Sequence, residues 1–337
     1  MKLLSVVVPC YNSEQYMRKS IDSLLIGDDR IEIIIVNDGS SDNTAQIADA
    51  YQVDYPNQIR VIHKENGGHG SAVNVGIEAA TGWYFKVLDS DDWFDEDALR
   101  EVLSILAKNS HKPEPLDLLI CNYVYEKVGV KHKKTMNYRK QLPIDLTFSW
   151  REVELPLGTY LMMHSLIHRT EILQKHHPRL PEHTFYVDSL FVFKSLPYTE
   201  QIMYHDVNLY RYYIGRDDQS VNEKVMIQRI DQQLRVNQAM IAYYASFEDK
   251  RSAMGNLMYH HLEIVSVISL IMIRISDTEE SNAKGQQLLR DFEAQDEFTY
   301  QRFKRSFMGF WLVKENVISR RFVILFYRIA QKIFGFN

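Results

Sequence analysis

The segment Phe85–Phe94, FKVLDSDDWF, carries the strongest signal for the fold. An apolar run ends at Leu88 and is followed at once by three carboxylates, Asp89, Asp91 and Asp92. Like charges this close repel one another, so the cluster needs a cation or several hydrogen-bond donors to compensate it. A solvated turn that leads into a helix is the alternative, because Asp-Ser-Asp suits both a turn and an N-cap. The surrounding sequence has to decide between the two.

Short apolar runs alternate with helical patterns over the first 125 residues. The predicted strands are Leu4–Pro9, Ile31–Val36, Ile59–His63 and Tyr84–Leu88. The predicted helices are Ser13–Leu25, Asn43–Tyr51 and Gly70–Ala80. This alternation predicts an α/β fold with a mostly parallel sheet that helices cover on both faces.

Polar residues follow each of these four strands at the point where the strand ends. They are Tyr11-Asn12, Asn37-Asp38-Gly39, Asn66-Gly67-Gly68-His69-Gly70 and the run from Asp89 to Asp92. Ligands of such sheets bind at the carboxyl ends of the strands. We therefore expect the four clusters to converge on one polar site that faces a nucleotide-like ligand.

The composition limits the class of protein. Of the 337 residues 45% are hydrophobic and 25% charged, so the chain can bury a core. A net charge of −5 argues against general nucleic-acid binding. Cys10 and Cys121 are the two cysteines, which indicates a reducing compartment without a disulfide framework.

Two apolar segments bear on localisation. The N-terminal run stops at Pro9 and predicts a buried strand rather than a signal peptide. The stretch Ile264–Ile273 is too short to cross a bilayer. We expect a cytoplasmic protein, with peripheral contact at the inner face of the cell membrane left open.

Three blocks of the chain resemble the hallmark blocks of family 2 glycosyltransferases with the GT-A fold. They are SVVVPCYNSEQYMRKSIDSLL, IEIIIVNDGSSDNT and NGGHGSAVNVGIEAATGWYFKVLDSDDW. The clear match covers roughly residues 3–100, and a weaker one continues through FYVDSLFVF and YRYYIGRDDQSV to about residue 222. The resemblance implies a transferase that moves one sugar from a nucleotide-diphosphate sugar, usually UDP-linked, to a hydroxyl of a glycan, glycolipid or glycoprotein. The Gln-x-x-Arg-Trp signature of processive synthases is absent, which favours a non-processive enzyme.

The resemblance implies roles for individual residues. Those implied in binding the nucleotide sugar are Pro9, Tyr11, Asn12, Asp38, Asn66, Gly68, His69, Asn74, Asp89, Ser90, Arg216 and Ser220. Among them Asp38 would hydrogen-bond the base, and Arg216 and Ser220 would belong to a loop that closes over the diphosphate. Asp91 would bind Mg²⁺ or Mn²⁺, whose preference for carboxylate oxygens suits this position.

Asp188 lies where the family keeps its general base. Relatives often carry a Glu-Asp pair, but the neighbour here is Val187, so one carboxylate is available. With one base, direct displacement would invert the anomeric centre. The alternatives are structural, since Asp91 could cap the following helix and Asp188 could be an N-cap.

The chain departs from the family pattern at two places. Val73 stands where relatives commonly carry an arginine, and His69 and Lys86 are the candidates to replace that cation. His164 stands near the usual position of an acceptor-binding tryptophan, and we name it with Trp93 as a candidate acceptor contact. The acceptor itself stays open.

The regular alternation weakens after Pro113, and from Glu223 onward the pattern is nearly all helical. We predict a catalytic domain over residues 1–222, with a nucleotide-sugar half (1–110) and an acceptor half (111–222). A helical C-terminal region follows over residues 223–337.

Other functions are open to test. A nucleotide-sugar pyrophosphorylase would need a Gly-rich, Lys/Arg-bearing loop after the first strand, and a dehydrogenase would need G-x-G-x-x-G there. The chain has CYNSEQY instead. A non-catalytic carbohydrate-binding scaffold is the third alternative, against which Asp89, Asp91 and Asp188 argue.

The C-terminal helix pattern is amphipathic. On a helical wheel over Ile318–Phe334 one face carries Ile318, Phe322, Leu325, Phe326, Ile329 and Ile333, and the cations Arg320, Arg321, Arg328 and Lys332 lie opposite. Such a helix can lie on an anionic membrane. Packing on the other C-terminal helices or self-association is the alternative.

Overall fold

The described residues form one ten-stranded sheet with helices around it. This computed structural model describes residues 2–127, 129–130, 133–156, 159–215 and 222–334. Residues 332–334 are described by their main chain only. The strands are β1 (Leu4–Cys10), β2 (Ile31–Asp38), β3 (Ile59–Lys64), β4 (Tyr84–Val87), β5 (Trp93–Phe94), β6 (Leu118–Lys127), β7 (Lys134–Met136), β8 (Thr147–Phe148), β9 (Leu166–Arg169) and β10 (Ile202–Ile214). Their order is β3-β2-β1-β4-β9-β6-β10-β5, with β7 beside β6 and β8 beside β10.

The first four strands are parallel, and each predicted strand is confirmed to within one or two residues. Every residue of β1 and β2 is buried, as expected of apolar runs covered on both faces. The register pairs Cys10 with Asn37 and Asp38 with Lys64. The polar residues after these strands therefore emerge at one edge of the sheet, which we call the carboxyl edge.

The rest of the sheet is mixed in direction. Strand β9 runs antiparallel to both of its neighbours, β4 and β6. Strands β6 and β10 are parallel, whereas β5, β7 and β8 pair antiparallel. The predicted α/β fold is confirmed, and its parallel character is concentrated in the first four strands.

Helices alternate with the strands in the first part of the chain and make up the C-terminal part. They are α1 (Met17–Asp22), α2 (Thr44–Asp54), α3 (His69–Ala79), α4 (Glu96–Ser110), α5 (Thr170–His176), α6 (Val187–Ser195), α7 (Glu223–Gln228), α8 (Ile230–Ala245), α9 (Ala253–Ser276), α10 (Glu279–Gln295), α11 (Glu297–Arg305), α12 (Phe307–Leu312) and α13 (Val317–Phe334). Short 3₁₀ turns cover Met163–Ser165 and Leu196–Tyr198. Helix α3 packs directly over β1 at Gly76, where a Cβ would lie 2.4 Å from Val7 Cγ1. Only glycine allows that approach.

The chain divides into two units. The first comprises Met1–Pro156 with Leu161–Ile214, and the second Leu157–Tyr160 with Gly215–Asn337. The second unit holds α7 to α13, so the predicted helical C-terminal region is confirmed. Residues 216–221 lie outside the described part, and the domain boundary at residue 222 stays a prediction.

Helix α9 is the most apolar helix of the second unit. The stretch Ile264–Ile273 lies inside this 24-residue helix, which is long and apolar enough to cross a membrane by length and composition alone. However, 61% of its apolar window is buried within the protein. Its Ser266 and Ser269 hydrogen-bond Asn237 and Gln233 of α8, at 2.9 and 3.1 Å. These features are those of a core helix.

Candidate active site

The loops after β1 and β2 meet at the carboxyl edge. Pro9 is buried within β1, while Tyr11 beyond the strand is 55% exposed and leaves its ring accessible. Asn12 has a positive φ of 50°, and its Oδ1 accepts a hydrogen bond from the Ser41 N–H at 2.9 Å. The first predicted binding residues therefore lie beside the loop that follows Asp38.

Asp38 holds the loop that leads into α3. Its Oδ1 accepts from Lys64 Nζ at 2.6 Å and from the Gly67 N–H at 3.0 Å, and its Oδ2 accepts from the Gly68 N–H at 2.7 Å. The Asn66 amide donates to the Asp38 carbonyl at 2.9 Å. Gly68, with φ 85°, then begins α3 as its N-cap residue. The Asp38 carboxylate thus already accepts three hydrogen bonds within the protein. Its contact with a base stays a prediction.

His69 and Asp89 form the charged centre of the site. His69 Nε2 donates to Asp89 Oδ1 at 2.8 Å. Burial alone would raise the pKa of Asp89, but His69 and His164 bring it below its usual range. Burial would likewise lower the pKa of His69, yet Asp89, Asp188 and Asp91 raise it overall. Asp89, Asp91 and Asp188 therefore all lie close enough to act on His69.

Lys86 does not supply a free cation to this centre. It is 1% exposed, and its Nζ donates to the carbonyls of Met163 and His164 at 3.1 and 2.5 Å. Burial lowers the pKa of Lys86 to about 7. Of the two cations that the sequence suggested in place of an arginine, His69 is the one that faces the carboxylates.

Asp92 is a structural carboxylate to which the sequence analysis gave no role of its own within the acidic cluster. It is completely buried, its Oδ2 accepts from the Tyr210 hydroxyl at 2.6 Å, and its Oδ1 accepts from the Tyr213 N–H at 2.7 Å. Burial, and then Asp91 and Asp89, raise the pKa of Asp92 well above its usual value. Asp92 thus fastens β10 to the carboxyl edge.

Asp91 is not the cap of the helix that follows it. Helix α4 begins after Asp95, whose Oδ1 accepts from the Ala98 N–H at 3.2 Å. The helix-cap alternative for Asp91 is therefore wrong. The half-buried Asp91 instead stands between Asp89 and Asp92 in the turn.

His164, for which the sequence suggested an acceptor contact, is a buried residue near Asp89. It is 3% exposed, and its ring lies 4.7 Å from the Tyr210 ring and 4.4 Å from the Tyr212 ring. Its Nε2 is 3.6 Å from Asp89 Oδ2, which is too long for a hydrogen bond. Neither ring nitrogen has a hydrogen-bond partner among the described residues. Buried polar atoms of this kind call for an explanation such as an ion.

Donor atoms of Asp89, Asp92 and His164 lie within 4.8 Å of one another. Carboxylate and imidazole ligands suit divalent ions such as Mn²⁺. Asp92 is the weakest of the three, because both of its oxygens already accept short hydrogen bonds, of 2.6 and 2.7 Å. These three residues fit a divalent ion, whereas Asp91, the predicted ligand, is not among them and stays a prediction.

Asp188 lies in the first turn of α6 rather than at its cap. The N-cap residue is Tyr186, with φ 65°, so the N-cap alternative for Asp188 is wrong. Asp188 is half-buried, and no hydrogen bond or ion pair joins its carboxylate to another residue in the described ranges.

Asn74 fixes the segment that precedes α6, since its amide donates to the Leu180 carbonyl at 2.9 Å and accepts from the Leu180 N–H at 3.0 Å. The geometry thus gives Asn74 a positioning role.

Ser90 and Trp93 complete the described part of the site. Ser90 Oγ lies 2.8 Å from Ser13 Oγ and links the acidic turn to the loop after β1. Trp93 is half-buried, with Lys19 Nζ 2.9 Å from its ring centre. Arg216 and Ser220 lie outside the described residues, so the predicted closing loop stays a prediction.

Tyr212 is a candidate active-site residue that the sequence analysis did not name. Burial first, and then Asp92, Asp188 and Asp89, raise its pKa well above the usual value, so its hydroxyl lies near those carboxylates. Tyr210 and Tyr212 are two residues apart in β10 and share one face of the strand. The two-residue spacing of Tyr210 and Tyr212 in YRYYI is the sequence signal that could have identified Tyr212.

Comparison with known proteins places the chain in a family. Residues 5–152 match the family model described as glycosyl transferase family 2. The uncharacterized glycosyltransferase EpsJ of Bacillus subtilis is 30% identical over 258 residues, which cover 72% of this chain and 70% of EpsJ. The chain belongs to glycosyl transferase family 2.

Other family 2 relatives match over shorter stretches. The putative glycosyltransferase EpsH of Bacillus subtilis (strain 168) is 43% identical over 124 residues, 36% of this chain and 34% of EpsH. The uncharacterized glycosyltransferase RP339 of Rickettsia prowazekii is 35% identical over 210 residues, 62% of this chain and 57% of RP339. The chain thus spans about a third of EpsH and little more than half of RP339.

Solved structures confirm the GT-A fold. S. aureus TarS 1–349 superposes with a TM-score of 0.67 at 20% identity, covering 98% of this chain and 92% of TarS 1–349. The mannosyltransferase PcManGT from Pyrobaculum calidifontis, solved with GDP-Man and Mn²⁺, gives a TM-score of 0.52 at 14% identity, covering 96% of this chain and 86% of PcManGT. At these identities the likeness shows the architecture alone.

Proposed function

We propose that this chain transfers one sugar from a UDP-linked donor to a hydroxyl group of a glycan, a lipid-linked or a protein-linked acceptor, with inversion at the anomeric carbon. The observation that carries the proposal is the convergence of His69, Asp89, Asp91 and Asp188 at the carboxyl edge of a family 2 sheet. The choice of UDP is supported by TarS 1–349, which has been solved with UDP-GlcNAc and with UDP.

Asp188 is the proposed general base. Its carboxylate takes the proton of the acceptor hydroxyl while the acceptor oxygen attacks the anomeric carbon of the donor. The bond from that carbon to the diphosphate oxygen breaks, and the nucleoside diphosphate leaves. A single displacement by one base inverts the anomeric centre. The half-buried position of Asp188, with no partner for its carboxylate among the described residues, supports this role.

A divalent cation, Mn²⁺ or Mg²⁺, would be held by Asp91, with Asp89 and His164 as further candidate ligands. Once bound, it would neutralise charge on the diphosphate as the sugar departs. Buried His164 supports this assignment, because neither of its ring nitrogens has a hydrogen-bond partner among the described residues. Asp89, Asp188 and Asp91 raise the pKa of His69, which favours its positively charged form beside these carboxylates. His69 thereby supplies part of the positive charge that relatives commonly carry on an arginine at the position of Val73.

We also propose that the enzyme is cytoplasmic. Cys10 and Cys121 are both buried free thiols, which suits a reducing compartment. Their burial raises the pKa of the Cys121 thiol to about 12 and that of Cys10 higher still, so neither is a reactive nucleophile.

The test measures nucleoside diphosphate released from a panel of nucleotide sugars with Mn²⁺ and a panel of glycan acceptors. Asp188→Asn should lower kcat by about 10²–10⁴-fold, as for loss of a positioned base, with donor affinity nearly unchanged. Asp97→Asn is the matched control, because Asp97 is an exposed carboxylate in the first turn of α4.

Three results would count against the proposal. Loss of donor affinity with persistent turnover in Asp188→Asn would show that Asp188 binds the donor instead. Pyrophosphate-dependent formation of nucleoside triphosphate would identify the pyrophosphorylase alternative. A protein that binds a sugar but releases no diphosphate would be the non-catalytic scaffold.

A further inference from the structure

The end of the second unit exposes an unusual amount of apolar surface. Of the sixteen large apolar side chains that are exposed in the described ranges, eight lie between Phe298 and Ile329. We define the terminal apolar face as Phe307 and Phe310 of α12 together with Val317, Ile318, Leu325, Phe326 and Ile329 of α13. Phe307 joins the two helices, since its ring lies 5.6 Å from that of Phe326. Contiguous apolar surface of this kind marks an interaction site.

Helix α13 packs on its unit through a different stripe. Ser319 and Val323, one turn apart, are fully buried, whereas Ile318 and Leu325 are 75% and 60% exposed. The sequence-based alternative that the apolar stripe packs on the other C-terminal helices is therefore wrong for the exposed members. The side chains of Lys332 and Ile333 lie outside the described residues.

Cations border the terminal apolar face. From residue 301 to the end the chain carries eight Lys/Arg against one Glu, within a total charge of −5. Arg321 is exposed and has no ion pair among the described residues, and Lys314 Nζ lies 3.5 Å from the Phe310 ring centre. Arg328 pairs with Glu223 at 2.6 Å, and Arg320 pairs with Asp277 on the packed side. Lys304, Lys314 and Arg321 thus have no ion pair among the described residues, and their positive charge stays uncompensated there.

A cavity of about 760 Å³ adjoins the face in the same unit. Phe307 lines both the cavity and the face, and Arg302 and Arg305 also line the cavity, with Glu263 and Glu297 as the opposing charges. The guanidinium of Arg302 lies 3.6 Å from the Tyr259 ring centre. Arg305 adds a further cation next to the aromatic edge of the face.

We propose that the terminal apolar face binds the surface of an anionic phospholipid bilayer. Its Phe, Leu and Ile side chains would enter the boundary between headgroups and acyl chains, and the flanking Lys and Arg would meet lipid phosphates. A second copy of the chain is the competing occupant. A two-fold interface would bring the same positively charged segment against itself, which is unfavourable, whereas an anionic bilayer compensates that charge.

The experiment is flotation of the full chain with vesicles of phosphatidylcholine alone and with vesicles containing about 30% phosphatidylglycerol, at low and high salt. The full chain should float with the anionic vesicles, less so at high salt. The double variant Leu325→Glu/Ile329→Glu should lower the bound fraction at least about tenfold. Leu146→Glu is the matched control, because Leu146 is 64% exposed in the first unit, and it should bind as the unchanged chain does.

Circular dichroism should show the same helix content in all variants. Should the double variant misfold, Arg321→Glu replaces it and is expected to weaken binding several-fold by charge alone. The proposal is overturned if the full chain stays in solution with anionic vesicles at low salt, or if the face variants float as the control does. It is equally overturned if light scattering shows a dimer that Leu325→Glu/Ile329→Glu dissociates, since the face then belongs to a second copy.

Discussion

The carboxyl edge of the sheet and the terminal apolar face depart in opposite ways from the usual distribution of side chains. At the carboxyl edge ionisable groups are buried, and each has its own hydrogen-bond partners: two donors of β10 for Asp92 and two carbonyls for Lys86. At the terminal face apolar groups such as Ile318 are exposed beside uncompensated cations. Buried charge needs partners inside the protein, whereas exposed apolar surface needs a partner outside it. The two regions should therefore respond to different perturbations.

The largest expected effect is confined to the carboxyl edge. Asp91→Asn should reduce sugar transfer by about 10³-fold or more, because a metal ion contributes several kcal/mol to stabilising the departing diphosphate. EDTA should have the same effect on the unchanged protein, and Mn²⁺ or Mg²⁺ should restore activity. Flotation with anionic vesicles should not change in either case.

Asp97→Asn is again the matched control and should keep full activity. Full transfer in EDTA would rule out metal dependence. Loss of vesicle binding in Asp91→Asn would show that the two regions are coupled, and the contrast between them would then fail.

A smaller effect is expected from acid, and it should act on both units alike. Burial, aided by Lys86, lowers the pKa of His168 in β9 from 6.5 to about 3, and burial lowers that of His261 in α9 from 6.5 to about 4. Below pH 6.5 the unfolded chain therefore binds protons that the folded chain does not, so stability falls with falling pH. Each histidine should remove about 2 kcal/mol from the free energy of unfolding between pH 7 and pH 5.

Urea unfolding at the two pH values, with His168→Phe and His261→Phe, would measure these contributions. Each variant should lose less stability on acidification than the unchanged protein, by about 2 kcal/mol. An identical loss in a variant and the unchanged protein would mean that the histidine is already protonated at neutral pH or is not buried.

The smallest expected effect is confined to the helical unit. Thr278 Oγ1 accepts from the Ser281 N–H at 3.0 Å, and the Thr278 N–H donates to Ser281 Oγ at 3.1 Å, which forms a capping box at the start of α10. Thr278→Ala should cost about 1 kcal/mol of stability. Hydrogen exchange should accelerate in the first turn of α10, while sugar transfer stays unchanged. Faster exchange in β1 or β2 would show that the two units unfold together.

Several features followed from local sequence alone. Continuous apolar runs predicted β1 to β4, and because parallel strands end at a common edge, they also predicted where the polar residues would converge. The 3.6-residue period predicted both the existence of α13 and its apolar stripe. The blocks around Asn12, Asp38 and Asp91 indicated the family.

The tertiary structure decided which partners the polar side chains of the site have within the protein. That Asp38 holds Gly67 and Gly68, that Asp92 fastens β10, and that His164 lies against Asp89 depend on residues that are far apart in sequence. No periodicity encodes such pairings, because they arise only when separate strands and loops pack. The same holds for α13: the sequence predicted an apolar stripe, but only the packing of Ser319 and Val323 left that stripe exposed.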